Sequence, residues 1–112
     1  MTHASPALGC RCRRCHAARL AIYKRLPPAQ RRALHVLDFA VPRHQTDLRL
    51  RDSIRWQVLY RLQFTKPWRP VLVRELPLKT VFINAPTMPF YTLNQHGTEI
   101  RAAVALEHRR AA

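Results

Sequence analysis

Apolar positions recur at helical spacing in two adjoining stretches near the start of the chain. From His16 to Leu26, Ala18, Leu20, Ala21, Ile22 and Leu26 are interleaved with Arg19, Lys24 and Arg25, which predicts a basic amphipathic helix. Pro27 and Pro28 end it and open the next, because a fixed φ and a missing N–H suit a first helical turn. Between Pro28 and Val41 the residues Ala33, Leu34, Val36, Leu37, Ala40 and Val41 form one stripe, and Pro42 stops the helix there. Gln45 to Arg51 is ambiguous: Leu48 and Leu50 alternate like a strand, whereas Thr46 could cap a short helix. Asp52 or Ser53 is then expected to cap a helix running to Gln63 or Phe64, with Ile54, Val58 and Leu62 every four residues and Leu59 widening the stripe.

After Lys66-Pro67 the pattern changes. Val71-Leu72-Val73, Thr80-Val81-Phe82-Ile83 and Pro89-Phe90-Tyr91-Thr92-Leu93 are rich in β-branched and aromatic residues and predict two or three short antiparallel strands. Leu76 is assigned to a turn or a strand end. Asn94 to Gly97 leads into a last helix, Thr98 to His108, which turns Ile100, Ala103, Val104 and Leu106 inward.

Helix, short helix, helix, β-ribbon and helix, in that order, resemble a winged helix-turn-helix DNA-binding domain of the bacterial or phage transcriptional-regulator type. Three stretches carry the resemblance, which covers about residues 26 to 108. Leu26-Pro27-Pro28-Ala29-Gln30-Arg31-Arg32-Ala33-Leu34-His35-Val36-Leu37 is similar to the first helix of such regulators. Asp52-Ser53-Ile54-Arg55-Trp56-Gln57-Val58-Leu59-Tyr60-Arg61-Leu62 resembles a recognition helix, a polar start followed by Val-x-x-x-Leu. Phe90-Tyr91-Thr92-Leu93-Asn94-Gln95-His96-Gly97 is similar to the end of a wing. The chain departs from the pattern at Ser53, where an apolar residue is usual, and at Leu50-Arg51-Asp52, where the turn usually holds Gly or Ala.

The resemblance implies an α+β fold: a three-helix core with a β-ribbon wing and a C-terminal helix, preceded by a basic N-terminal helix. Residues 1–26 are then a basic arm with a Cys cluster and a short helix, and residues 27–112 the winged-helix domain. An all-helical fold, or a strand before residue 60, is counted against this architecture.

Composition sharpens the functional expectation. Twenty Lys and Arg against six Asp and Glu leave 112 residues with a formal charge of +14, and seventeen of the twenty are Arg. A small domain repels itself at such a charge, so the excess points to a polyanionic partner. Neutralising phosphates releases condensed counterions, and the planar Arg fork suits phosphates and guanine edges. Residues 1–61 carry thirteen bases and three acids, residues 62–112 seven and three, so the footprint is expected mainly in the first half.

Arg55 and Gln57 are the types that pair with guanine and adenine edges, and Arg61 lies one turn on. Ser53 can give a phosphate its hydroxyl and backbone N–H. Arg51 flanks this segment; Lys66, Arg69, Arg74 and Lys79 make the wing basic; Arg13 and Arg14 do the same for the arm. The contrary expectation is that Arg55 and Arg61 only solvate the helix while Trp56, Tyr60 and Trp68 are core aromatics.

Cys10-x-Cys12-x-x-Cys15-His16 holds three thiols and an imidazole, the inventory of a structural zinc site, although the spacing is not that of a usual knuckle. Arg11, Arg13 and Arg14 would lower the thiol pKa values. Free thiols in a basic arm are the first expectation and structural zinc the alternative, with His35 or His44 as distant candidates for a fourth ligand; no other cofactor is expected. No apolar run reaches the roughly 20 residues that span a bilayer, and no secretory signal is evident, so a cytoplasmic location is expected.

The six acids are scattered, with no paired carboxylates and no Gly-rich phosphate loop, so the chain is read as a non-enzyme. The leading expectation is a transcription regulator that docks a helix at about 53–63 in the major groove of double-stranded DNA, as a homodimer, without a small-molecule ligand. Two alternatives stand beside it. One is a small inhibitor or adaptor, of a kind phages encode, that covers an acidic host-protein surface. The other is a ribosome-associated RNA-binding protein.

Overall fold

A computed structural model describes residues 6–76 and 89–111. These form five helices and a three-stranded antiparallel sheet in an α+β arrangement. The elements are α1 (Arg13–Arg25), α2 (Pro28–Val36), β1 (Arg43–His44), α3 (Gln45–Asp52), α4 (Trp56–Leu62), β2 (Val73–Leu76), β3 (Phe90–Leu93) and α5 (Gln95–Ala111). The strand expected at Thr80–Ile83 lies outside the described residues.

The helix expected to reach Val41 stops at Val36. Leu37 turns into extended backbone, and the Asp38 carboxylate accepts from the Ala40 N–H at 3.1 Å, a local turn that outcompetes further helix. Leu37 stays buried, whereas Ala40 and Val41 are left exposed. The Asp38 carbonyl accepts from the N–H of Leu93 at 2.9 Å, which draws this loop onto β3.

A two-residue strand, β1, precedes residue 60, contrary to expectation. It pairs with β3 (Arg43 with Tyr91, His44 with Phe90), while β3 pairs on its other side with β2, giving the order β1-β3-β2. The ambiguous segment after it is helical, and the cap is His44 rather than Thr46, its Nδ1 accepting from the Thr46 N–H at 3.2 Å.

Asp52 ends α3 instead of starting the next helix, and Ser53 adopts the left-handed region at φ 56°, ψ 35°. The N–H groups of both Ser53 and Ile54 return to the Leu48 carbonyl, closing the helix end. Ser53-Ile54-Arg55 is therefore the turn between α3 and α4, three residues later than the Leu50-Arg51-Asp52 that the sequence pattern suggested. Ile54 anchors it in the core.

The core joins Leu26, Leu34 and Leu37 to Leu48, Ile54, Leu59 and Leu62, and closes on Leu72, Val73, Leu93 and Ile100. Apolar burial of this kind contributes roughly 1.5–3 kcal/mol per large side chain. α1 packs along α5, outside the α2–α4 contact. The start of α5 is stitched to Val71 and Leu72, just ahead of β2. Asn94 accepts from the Gly97 N–H at 2.9 Å through its side chain and donates to the Val71 carbonyl. A Cβ at Gly97 would sit 2.4 Å from the Leu72 carbonyl oxygen, so the helix can approach only through a residue without one.

Two substitutions test this backbone logic in thermal or denaturant unfolding. Gly97→Ala should destabilise by on the order of 1–3 kcal/mol through overpacking, although Ala is the better helix former. Ser53→Val should cost about 1–2 kcal/mol while Ser53→Gly costs nothing, because only glycine is at ease at positive φ. Equal stability of the two Ser53 variants would contradict the left-handed turn.

Candidate nucleic-acid interface and thiol cluster

The buried side of α4 is Leu59 and Leu62, with Val58 partly covered. Its solvent side therefore carries Trp56, Gln57, Tyr60 and Arg61, continued by Phe64 just past the helix. Arg55 precedes α4 in extended backbone as its N-cap residue and is exposed. Arg49 and Arg51 on α3 and Lys66 after α4 are exposed as well. Among the described residues Arg49, Arg55, Arg61 and Lys66 form no ion pair, while Arg51 reaches Asp47 at 3.2 Å from a largely exposed position.

Trp56 and Tyr60 are not core residues. They are 50% and 51% exposed, Phe64 47%, and the three rings meet edge to face with centroids 5.9 and 4.7 Å apart. Spacing of four residues put these rings on one face, and only the burial of Leu59 and Leu62 decides that it is the outer one. Trp68 does pack against the core, with Arg25 over its ring at 4.7 Å.

The remaining expected phosphate contacts divide. Ser53 is exposed, and its carbonyl accepts from Arg32 on α2 at 3.4 Å. Arg74 is exposed on β2, over the Phe39 ring at 6.0 Å. Lys79 lies outside the described residues. Arg13 and Arg14 are exposed in the first turn of α1. Arg69, in contrast, is 1% exposed. Its guanidinium donates to the carbonyls of Arg61 (3.0 Å), Phe64 (2.8 Å) and Pro70 (3.1 Å), at the end of α4 where helix carbonyls and the helix dipole both favour a cation. Burial without a carboxylate pulls its pKa below the usual arginine value. Sequence gave no signal that this arginine, alone among those of the wing, is an internal brace.

Sequence also missed two other structural arginines. Arg19, spaced like a solvent residue of α1, is 5% exposed; it pairs with Glu99 of α5 at 3.0 Å and donates to the carbonyls of Ala7 (2.9 Å) and Cys10 (2.5 Å). Arg43 donates twice to Asp47, pairs with Asp52 and reaches the Val36 carbonyl. Its guanidinium holds the Asp47 carboxyl below the usual carboxylate range.

The sulfurs of Cys10, Cys12 and Cys15 lie within 4.8 Å of one another, a group that could hold a metal ion. Cys12 is the N-cap of α1, its Sγ accepting from the Cys15 N–H at 3.4 Å. That bond first, and the neighbouring Cys10 thiol second, bring its pKa down to about 7. His16 does not join them: its Nε2 is 2.7 Å from Glu107 on α5. His35 is held by the Tyr23 hydroxyl at 2.6 Å, and His44 caps α3. A solvent-open groove of about 650 Å³, lined by Arg11, Arg13, His16 and Arg109 among others, adjoins Cys10.

Comparison with known proteins returns no matching family model, no matching curated protein and no matching solved structure. Among the described residues no helix is long and apolar enough to cross a membrane.

Arg69 and Lys66 offer a direct check of how these bases are used. Arg69→Ala should lower stability by about 1–3 kcal/mol, since it empties a buried position and leaves the buried Pro70 carbonyl without its donor. Lys66→Ala should leave melting unchanged within about 0.5 kcal/mol. Equal melting temperatures for the two variants would contradict the internal role of Arg69.

Proposed function

We propose that this chain is a winged helix-turn-helix protein that binds double-stranded DNA and reads it with α4. The supporting order is α2, β1, α3, α4, β2, β3, with α3 and α4 joined by a three-residue turn and the ribbon strands β2 and β3 antiparallel. β1 is a strand before residue 60, the feature counted against this architecture; the reading is kept because its two residues pair only with the far edge of β3 and leave the order of helices and ribbon strands unchanged. The observation that carries the reading is the outer face of α4. Gln57 and Arg61 are exposed there beside the exposed cap residue Arg55, and neither arginine has a carboxylate partner among the described residues. Such side chains discriminate adenine and guanine edges, and ring edges such as those of Trp56 and Tyr60 can meet thymine methyl groups. Regulation of transcription is the use such binding most often serves, and no catalytic group is assigned.

One observation favours a second reading. Exposed rings rimmed by arginines are also what a small adaptor would present to an acidic protein surface. The two are separated by titrating the protein against duplex DNA, single-stranded DNA and RNA across a salt series. The DNA reading expects duplex to bind best, with log affinity falling against log salt by roughly 0.9 per phosphate neutralised. Arg55→Ala, Gln57→Ala and Arg61→Ala should each cost on the order of 1–3 kcal/mol of specific binding with melting unchanged. Full duplex affinity in all three variants would remove α4 from the interface. Preference for single strands or RNA would replace the duplex reading with a stacking one.

A further inference from the structure

We propose that Cys10, Cys12 and Cys15 form a three-coordinate site for one soft monovalent cation, Cu(I), built onto the start of α1 and braced by α5. This does not depend on the DNA reading. The distances fit: an ion equidistant from three sulfurs at about 2.3 Å needs sulfurs about 4 Å apart. Here Cys10 and Cys12 are 3.3 Å apart and no pair exceeds 4.8 Å. The approach to the cluster is open, since Cys12 is exposed and its two partners are partly so.

Ligand number decides between metals. Zinc in structural sites almost always takes four ligands. Among the described residues no fourth His, Cys, Asp or Glu joins the group. His16, next to Cys15 in sequence, is turned to Glu107. Three soft thiolates with no hard or imidazole donor select Cu(I), which is content with three sulfurs. Binding releases the thiol protons and changes no oxidation state. The resulting complex carries two negative charges, which the exposed Arg11, Arg13 and Arg14 and the amide end of the thirteen-residue α1 offset.

The frame exists independently of the ion. Buried Arg19 holds the carbonyls of Ala7 and Cys10, and Glu99 accepts from the Gly9 N–H at 2.6 Å while pairing with Arg19. The ligand segment is therefore fixed to α5 through Glu99 before any metal arrives, which reduces the ordering cost of binding.

The test is anaerobic titration of the reduced full chain with Cu(I) against a chromophoric Cu(I) chelator, with X-ray absorption at the copper edge. Expected are one ion per chain, a shell of three sulfurs at about 2.3 Å, and no nitrogen. Cys15→Ser should weaken binding by at least tenfold, a loss as large as removing an outer-shell partner gives. His16→Ala should leave affinity unchanged. A Cys10→Ser/Cys12→Ser/Cys15→Ser variant should lose the ion and keep its helical circular dichroism. The proposal is overturned if the chelator keeps the copper, if the triple variant still binds it, if His16→Ala releases it, or if Zn(II) displaces Cu(I) at equal concentration.

Discussion

Arg43 ties together the three elements that orient α4. From β1 it reaches the last carbonyl of α2, pairs with Asp47 near the start of α3 and with Asp52 at its end, at 2.6 and 2.7 Å. α3 is thereby fixed at both ends against α2 and against the sheet edge. The turn that leaves it, Ser53 to Arg55, has little freedom: Ser53 is left-handed, Ile54 is buried and Arg32 grips the Ser53 carbonyl. Partly buried ion pairs contribute little net energy, but removing one partner leaves the others uncompensated. Here that geometry fixes where the outer face of α4 points.

The same interaction explains how a chain of charge +14 presents bare arginines without losing its core. Four of the six acids are engaged in pairs within the fold: Asp47 and Asp52 with Arg43, Glu99 with Arg19, and Glu107 with His16. Two of them also meet a surface arginine, Asp47 with Arg51 and Glu107 with Arg110, but none reaches the arginines around α4. Arg49, Arg55, Arg61 and Lys66 are left facing solvent with nothing to pair with among the described residues. Self-repulsion of that surface is a cost that a polyanion would relieve.

Much of the fold was legible because periodicity and proline act locally. Pro28 opened α2, the stripe of Ile54, Val58 and Leu62 widened by Leu59 found α4 although Ile54 falls in the turn before it, and Pro89 to Leu93 gave β3 to within one residue. What was not legible depended on contacts distant in sequence. α2 ends at Val36 because Asp38 forms its own turn and is claimed by Leu93 of β3. Ser53 is left-handed because Leu48 closes α3 there, and no serine announces that. At the candidate site, helical spacing put Gln57 and Arg61 off the apolar stripe, where they are exposed, but put Arg55 inside the helix it in fact precedes. The separation of Arg69 and Arg19 from the surface arginines needed the carbonyls and the carboxylate they meet. The three thiols lie within six residues of sequence and so were easily grouped, while the diversion of His16 to α5 was a tertiary event.

One spectrum tests the proposed docking of α4 on DNA most directly. Backbone amide shifts of the full chain should be followed by NMR as a duplex of its selected sequence is added at moderate salt. The largest changes are expected at Arg55 to Phe64, with smaller ones at Arg49, Arg51 and Arg74. Changes confined to α1 and α5, with the α4 amides unmoved at saturation, would contradict it.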